Sequence, residues 1–254
     1  MKKKIIKILP IIAILAIIQS VPIFALKNIG MDKLETENAY IYYDRGNLTS
    51  AEMIRDKLDD TIEDIRFKLG YEDGEKATIY VYEKQSSLHI RKLGFITLLI
   101  APDWYIGDNK GQIALIVSPF AEVNGHSQES ILSALPHEIV HTYNYQTNPK
   151  LSYFIDNGVA SYLSNQRPTN DFRVGRDAFP IENLAVENQV RFGNMGGYAY
   201  SYTYIEFLDK TYGWSSIREL ISGAKSYEQI FGKNDTQIYS EWMQFLDTEY
   251  PTHK

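Results

Sequence analysis

The sequence predicts an α+β fold, in which a small mixed α/β lobe with an antiparallel-edged sheet precedes a helical lobe. Three observations carry this. Three short β-rich runs fall in the first half, interleaved with helical periodicity. From Ser127 onward the periodicity is helical throughout. Antiparallel strands followed by a run of helices argue for this architecture rather than a doubly wound sheet. At 254 residues, 44% hydrophobic and 23% charged, the chain suits one moderate domain or two small lobes sharing a core.

Residues 1–25 stand apart from that core. Lys2, Lys3, Lys4 and Lys7 form a basic start, Ile8–Ile18 is apolar except for Pro10, and Val21–Ala25 ends on a small residue. Basic, apolar, then small is the order of a secretory signal, with cleavage expected near Ala25. The alternative is an uncleaved membrane anchor, because Ile5–Leu26 approaches the ~20 apolar residues that span a bilayer. Either way residues 26–254 are expected outside the cytoplasm: secreted or extracytoplasmic, and membrane-anchored if the segment is retained.

Residues 27–36 read as a polar lead-in. Ala39–Tyr43 is a strand, closed by the turn Asp44-Arg45-Gly46-Asn47. Ser50 is expected to cap a helix in which Met53, Ile54, Leu58, Ile62, Ile65 and Leu69 recur at three- and four-residue steps, ended by Gly70. Ala77–Tyr82 is a second strand, Ser86–Lys92 a short helix, and Gln112–Val117 a third strand closed by Ser118-Pro119. These give an α/β lobe over about 38–126. Helices are expected over about 128–146, 151–165, 198–212, 215–223 and 236–249, making a helical lobe over about 127–250.

Composition excludes several functions. The chain has no cysteine, so no disulfide staples it and no lipidated cysteine can follow the signal. Stability must come from packing, with metal as a further source. Removing residues 1–25 takes away four lysines and no acid, which moves the formal charge from −6 to −10. A nucleic-acid partner needs a basic footprint, so none is expected.

One constellation carries chemistry. His137-Glu138-Ile139-Val140-His141 places two histidines four residues apart, on one face of a helix and one turn from each other. Two imidazoles so spaced can share one Zn²⁺ at ~2.0–2.1 Å. Glu138 can reach a metal-bound water as general base. The flanking Ile131-Leu132-Ser133-Ala134-Leu135 is apolar, and polar groups buried in such a helix are costly unless partnered. Pro136 predicts a kink or a helix start just before His137. The continuation Thr142–Thr147 puts Asn144 and Thr147 where the metzincin pattern requires glycine and histidine, which excludes that class.

The chain resembles the peptidase MA-like, or gluzincin, family of zinc metallopeptidases, distantly related to thermolysin. The resemblance runs from about Tyr40 to Tyr250 and rests on several pieces. These are the Tyr40-Ile41-Tyr42-Tyr43-Asp44 strand, Ile116-Val117-Ser118-Pro119, Gly125-His126-Ser127, the motif itself and Phe154–Tyr162. Tyr198–Tyr202, Tyr212-Gly213 and Trp242 complete the set. It implies a zincin-like fold, a Zn²⁺ cofactor held by His137 and His141, and Glu138 as general base. The family's third ligand is a glutamate on the following helix. Asn157 stands in its place, and Asp156, about 100° away around a helix, is the alternative. The resemblance further suggests Tyr198 or Tyr202 as oxyanion donor, against a packing role for the alternating tyrosines 198–204. It also suggests Gln112–Val117 as the edge strand to which an extended peptide adds. The expected activity is endopeptidase-like hydrolysis of a peptide or protein substrate by a monomer. The rival expectation is a catalytically impaired zincin-fold protein, exported as a binding or structural module, because Asn157 is a weaker zinc donor than a carboxylate.

Overall fold

A computed structural model describes residues 2–24, 30–71, 75–97, 104–176 and 178–252. The expected cleavage point near Ala25 lies outside the described residues. The protein is mixed α/β, with eleven α-helices and one five-stranded sheet among the described residues. It divides into two compact units, residues 1–60 with 75–135 and residues 61–74 with 136–254.

The first unit holds α1 (Lys2–Phe24), β1 (Met31–Glu35), β2 (Ala39–Asp44), α2 (Leu48–Asp59), β3 (Ala77–Tyr82), α4 (Gln85–Leu93), β4 (Gly107–Lys110) and β5 (Ile113–Val117). The strand order is β1-β2-β3-β5-β4. The three expected strands are not antiparallel: the interior pairs β2–β3 and β3–β5 are parallel because helical segments carry the chain between them, and only β1 and β4 pair antiparallel at the edges. Register places Ile41 opposite Ile79 and Ile79 opposite Ala114, and all three are fully buried. Residues 45–76 between β2 and β3 are long enough for the crossover that a parallel pair requires.

Sequence patterning misses both edge strands because Met-Asp-Lys-Leu-Glu and Gly-Asp-Asn-Lys lack a run of β-branched or aromatic residues. That omission overturns one expectation. The strand near 112–117 is not an edge but lies between β3 and β4. A two-residue turn joins β4 to β5, with Lys110 opposite Ile113, and Gly111 adopts the positive φ of 60° that such turns need. Lys92 reaches from α4 to the edge strand, 2.5 Å from the Asp108 carboxylate and bonded to the Asn109 carbonyl.

The expected single helix over residues 50–69 is two helices. Asp60 and Thr61 interrupt it, residue types whose side chains compete with helical hydrogen bonds. α3 (Ile62–Leu69) begins after Thr61 and belongs to the second unit. Ser50 is not the cap. The cap position is Asn47, and the buried Ser50 hydroxyl lies 2.9 Å from that of Ser118. Gln19 of α1 donates to the Leu93 carbonyl and accepts from the Ile96 amide. Among the described residues no helix is long and apolar enough to cross a membrane.

α5 (Gln128–Thr147) runs unbroken through Pro136, so the helix start expected there does not occur. From Pro136 its residues belong to the second unit. That unit continues with α6 (Tyr153–Leu163), a 3₁₀ turn (Ile181–Ala185), α7 (Gln189–Asn194), α8 (Gly197–Tyr212), α9 (Trp214–Ser222), α10 (Tyr227–Phe231) and α11 (Asp235–Glu249). α3 is tied to α5 by Arg66, which donates to the Tyr143 hydroxyl at 2.8 Å, and by Tyr71, which donates to the Tyr143 carbonyl.

The core of this unit is aromatic. Phe154, Phe179, Phe192, Tyr200, Tyr204 and Trp242 interlock, with Phe179–Tyr200 centroids 4.2 Å apart and Tyr204–Trp242 edge-to-face at 5.1 Å. A two-residue step along a helix turns through about 200°, so the alternating tyrosines of α8 divide between two faces. Tyr200 and Tyr204 pack against Trp242, while Tyr198 packs against Phe192 and Tyr202 against Tyr162. α6 lies flush on α8 because position 158 is glycine. A Cβ there would stand 2.6 Å from the Ser201 carbonyl oxygen and 2.8 Å from Ile205.

Candidate metal centre

Three polar side chains of the motif are buried in the second unit: His137, Glu138 and His141, each 7% exposed. Helical phase alone brings the two imidazoles together on α5, with ring centroids 4.7 Å apart and planes at 79°. α6 supplies the opposing groups. The Ser152 hydroxyl accepts from the Ile155 amide and starts this helix, which fixes the phase of the two residues that follow.

Asp156 points one carboxylate oxygen at Nδ1 of His141, 2.8 Å away, a close contact without the alignment of a good hydrogen bond. Its other oxygen accepts from Nδ2 of Asn144 at 2.8 Å. Asn157 is 2% exposed and donates its Nδ2 to the Tyr153 carbonyl at 2.8 Å. Asn157 and Gln166 both hydrogen-bond the His137 side chain.

Burial, and secondarily the neighbouring His141, hold the His137 imidazole well below its ordinary pKa, against a smaller upward pull from Gln166 and Asn157. It is therefore neutral at pH 7, the form that can donate a lone pair to a metal. Its Nδ1 is buried with no hydrogen-bond partner among the described residues. The two tyrosines part company. The Tyr198 ring lies 6.3 Å from that of His137 and packs edge-on against Phe192, whereas the Tyr202 ring sits against Tyr162 at 5.3 Å, with Glu206 and Arg167 as its charged neighbours.

Sequence reasoning did not single out Gln166 or assign Asn144 a role. Asn144 was findable, because it follows His141 by three residues and so shares its helix face. Gln166 was not. It comes to His137 only because the chain reverses after α6, where Asn165 takes a positive φ of 56° and the Gln166 amide bonds the Ser161 carbonyl.

The donors suit a zinc ion in part. Two buried imidazoles, one with an unpartnered nitrogen, fit it, and amide oxygens at 157 and 166 are the neutral groups beside them. Among the described residues no three His, Cys, Asp or Glu side chains are grouped to hold a metal. Comparison of the chain with family models, curated proteins and solved structures returns no match.

Proposed function

We propose that the second unit is a zinc-dependent peptidase site, in which His137 and His141 hold the metal and Glu138 takes a proton from the attacking water. The observation that supports this reading most is the His137–His141 pair, rings 4.7 Å apart, buried, with His137 kept neutral and Glu138 buried between them in sequence. Bound zinc would supply Lewis acidity toward a scissile carbonyl and lower the pKa of a bound water toward ~7. Glu138 would serve as general base, and Tyr198, whose ring neighbours His137, as a hydrogen-bond donor to developing oxyanion charge. The substrate is a peptide or protein met outside the cytoplasm, on the strength of the basic-apolar N-terminal segment.

A second reading has its own support. Asn157, in the place of the expected third carboxylate, spends its amide on the Tyr153 carbonyl and presents no negative charge. That favours a zincin-like module which binds metal or ligand without hydrolysing peptides. Metal analysis of the purified chain after mild dialysis tests what both readings share. The expected content is about one zinc per chain; a folded, metal-free chain indifferent to added zinc would remove the site altogether.

A further inference from the structure

We propose that α1 is a retained part of the first unit, and that α1 and the Leu93–Ile96 corner beside it form one surface that enters a lipid bilayer. Neither feature belongs to the metal centre, so the proposal stands or falls independently of zinc binding.

The two halves of α1 differ. Residues 10–18 are exposed throughout, with Ile11, Ile12, Ile14, Leu15, Ile17 and Ile18 between 51% and 63% exposed. Burial begins at Gln19 and is complete at Pro22. This second half is fitted to the unit by polar contacts. Gln19 donates Nε2 to the Leu93 carbonyl at 2.8 Å, at the end of α4, where helical carbonyls lack partners of their own. Its Oε1 accepts from the Ile96 amide at 2.9 Å. Position 94, between the two, is a glycine with a φ of 83°, and a Cβ there would collide with the Gln19 carbonyl and side chain. Lys110, the last residue of β4, donates to the Ile23 carbonyl at 2.6 Å and so meets the final turn of α1. A cut near Ala25 followed by loss of α1 would undo all three hydrogen bonds, which argues that α1 stays.

The apolar exposure of α1 continues onto the body of the unit. Val21 and Pro22 line a groove with Ile90 of α4 and Phe95. Around it Leu93, Phe95 and Ile96 are 49%, 46% and 51% exposed. The chemistry of α1 identifies what covers this surface. Residues 10–18 contain no polar side chain, so the helix is apolar all round. A protein partner docking on one side would leave the other side in water, whereas lipid surrounds it. The helix end opposite Gln19 carries the four lysines of residues 2–7, which suit anionic headgroups. The Leu93–Ile96 corner lies where α1 leaves the unit, and so meets the same bilayer.

The test uses the absence of cysteine, because one introduced cysteine can carry a polarity-sensitive dye without competition. The full chain is labelled in turn as Leu15→Cys, Phe95→Cys and Asp59→Cys. Asp59 accepts from Asn38 just before β2, whereas Asp44, which lines the groove, ends that strand, so the third dye sits at the far end of the sheet. On adding vesicles of phosphatidylcholine and phosphatidylglycerol in equal parts, the dyes at 15 and 95 should report an apolar environment and the dye at 59 water. The double variant Phe95→Ser/Ile96→Ser should lower vesicle partitioning by roughly tenfold. Gln19→Ala, which loosens the joint but leaves α1 apolar, should keep the signal at 15 and weaken that at 95. Mass spectrometry of the membrane fraction should find α1 still attached. Recovery of the chain with an N-terminus near Leu26 would overturn retention. A dye at 95 that stays in water while the one at 15 enters lipid would overturn the shared surface. A shift that needs no vesicles and grows with protein concentration would give this face to a second copy of the chain instead.

Discussion

The two units bury polar side chains differently. In the first, the buried polar residues are Ser50, His89, Thr97 and Ser118. Ser50 and Ser118 meet each other, His89 Nε2 lies 3.0 Å from the Tyr105 carbonyl, and Thr97 donates to the Gly94 carbonyl. Each has a partner within its own unit. The second unit buries His137, Glu138, His141, Arg173 and Glu206, with Asn144 and Asn157. Part of that set is also closed: Glu206 accepts from Tyr250 at 2.7 Å and pairs with Lys210 at 3.0 Å, and Arg173 bonds Asp247 and the Tyr250 carbonyl. Among the described residues the histidine cluster leaves Nδ1 of His137 and Oδ1 of Asn144 buried and unmet, as are the hydroxyls of Tyr105 in the first unit and of Ser161 and Tyr200 in the second. Buried charge alone therefore does not mark a functional centre. An unmet nitrogen beside a second buried imidazole, and not an unmet hydroxyl such as that of Tyr105, is the stronger signal.

The sharpest way to break this contrast is to change two buried glutamates by the same chemistry. Glu138→Gln removes a proton acceptor and almost no volume. It should lower peptide hydrolysis by about 10²–10⁴-fold, the range of a general base, while leaving zinc content and unfolding midpoint near the parent's. Glu206→Gln should do the reverse, preserving turnover per folded molecule but costing about 1–3 kcal/mol as Lys210 and Arg167 lose their anionic partner. Initial rates, metal content and urea midpoints on the pair decide it. Hydrolysis surviving Glu138→Gln at the parental rate would place the chemistry elsewhere.

What could be read from the sequence followed the same division. The interior strands were legible because Ala77–Tyr82 and Ile113–Val117 are continuous apolar runs buried on both faces, and the long helices because their periodicity is strong. The polar edge strands were illegible, since their pairing is decided by partners far along the chain and not by their own side chains. The break at Asp60-Thr61 hid because the apolar three- and four-residue steps continue across it. At the site, spacing alone placed His137 and His141 on one face, and the family resemblance pointed to residue 157 on the following helix. It could not give the rotamer that sends the Asp156 carboxylate to His141, nor the chain reversal that brings in Gln166.

Asn157→Glu sharpens the comparison by completing what the protein leaves incomplete. The residue already hydrogen-bonds His137, so a glutamate would bring a charge to the metal position where screening is weak. Zinc affinity should rise by roughly tenfold or more, which corresponds to about 1.4 kcal/mol. The substitution also deletes the Asn157 donation to the Tyr153 carbonyl, a loss of about 1 kcal/mol. The metal-free variant should therefore unfold slightly earlier than the parent and the zinc-loaded variant later. Calorimetric zinc titration and melting with and without metal read both signs, and unchanged affinity would mean that residue 157 does not face the metal.

The smallest effect is a pH slope, and it too separates the units, because His89 in the first and His137 in the second are lowered in pKa by burial. His137 is held well below 6.5 and His89 is lowered less drastically. The sign follows from the proton balance. Above about pH 6.5 both histidines are neutral whether the chain is folded or not, and they contribute no slope. As pH falls below that value the unfolded chain binds protons which the folded histidines do not, so stability drops with acidification. The slope is at most about 1.4 kcal/mol per pH unit for each group, and it persists until the folded pKa is reached. Urea midpoints of the chelator-treated chain between pH 7 and 5 should therefore decline. His137→Gln should flatten the decline more than His89→Gln, since the more strongly lowered group keeps refusing its proton over a wider span. Zinc must compete with that same proton for the imidazole lone pair. Its stabilisation of the fold should accordingly be larger at pH 7 than at pH 5 in the parent, and this difference should vanish in His137→Gln. An equal decline in both single variants would mean that the motif histidine is no more shielded from protons than the one closed by a backbone carbonyl.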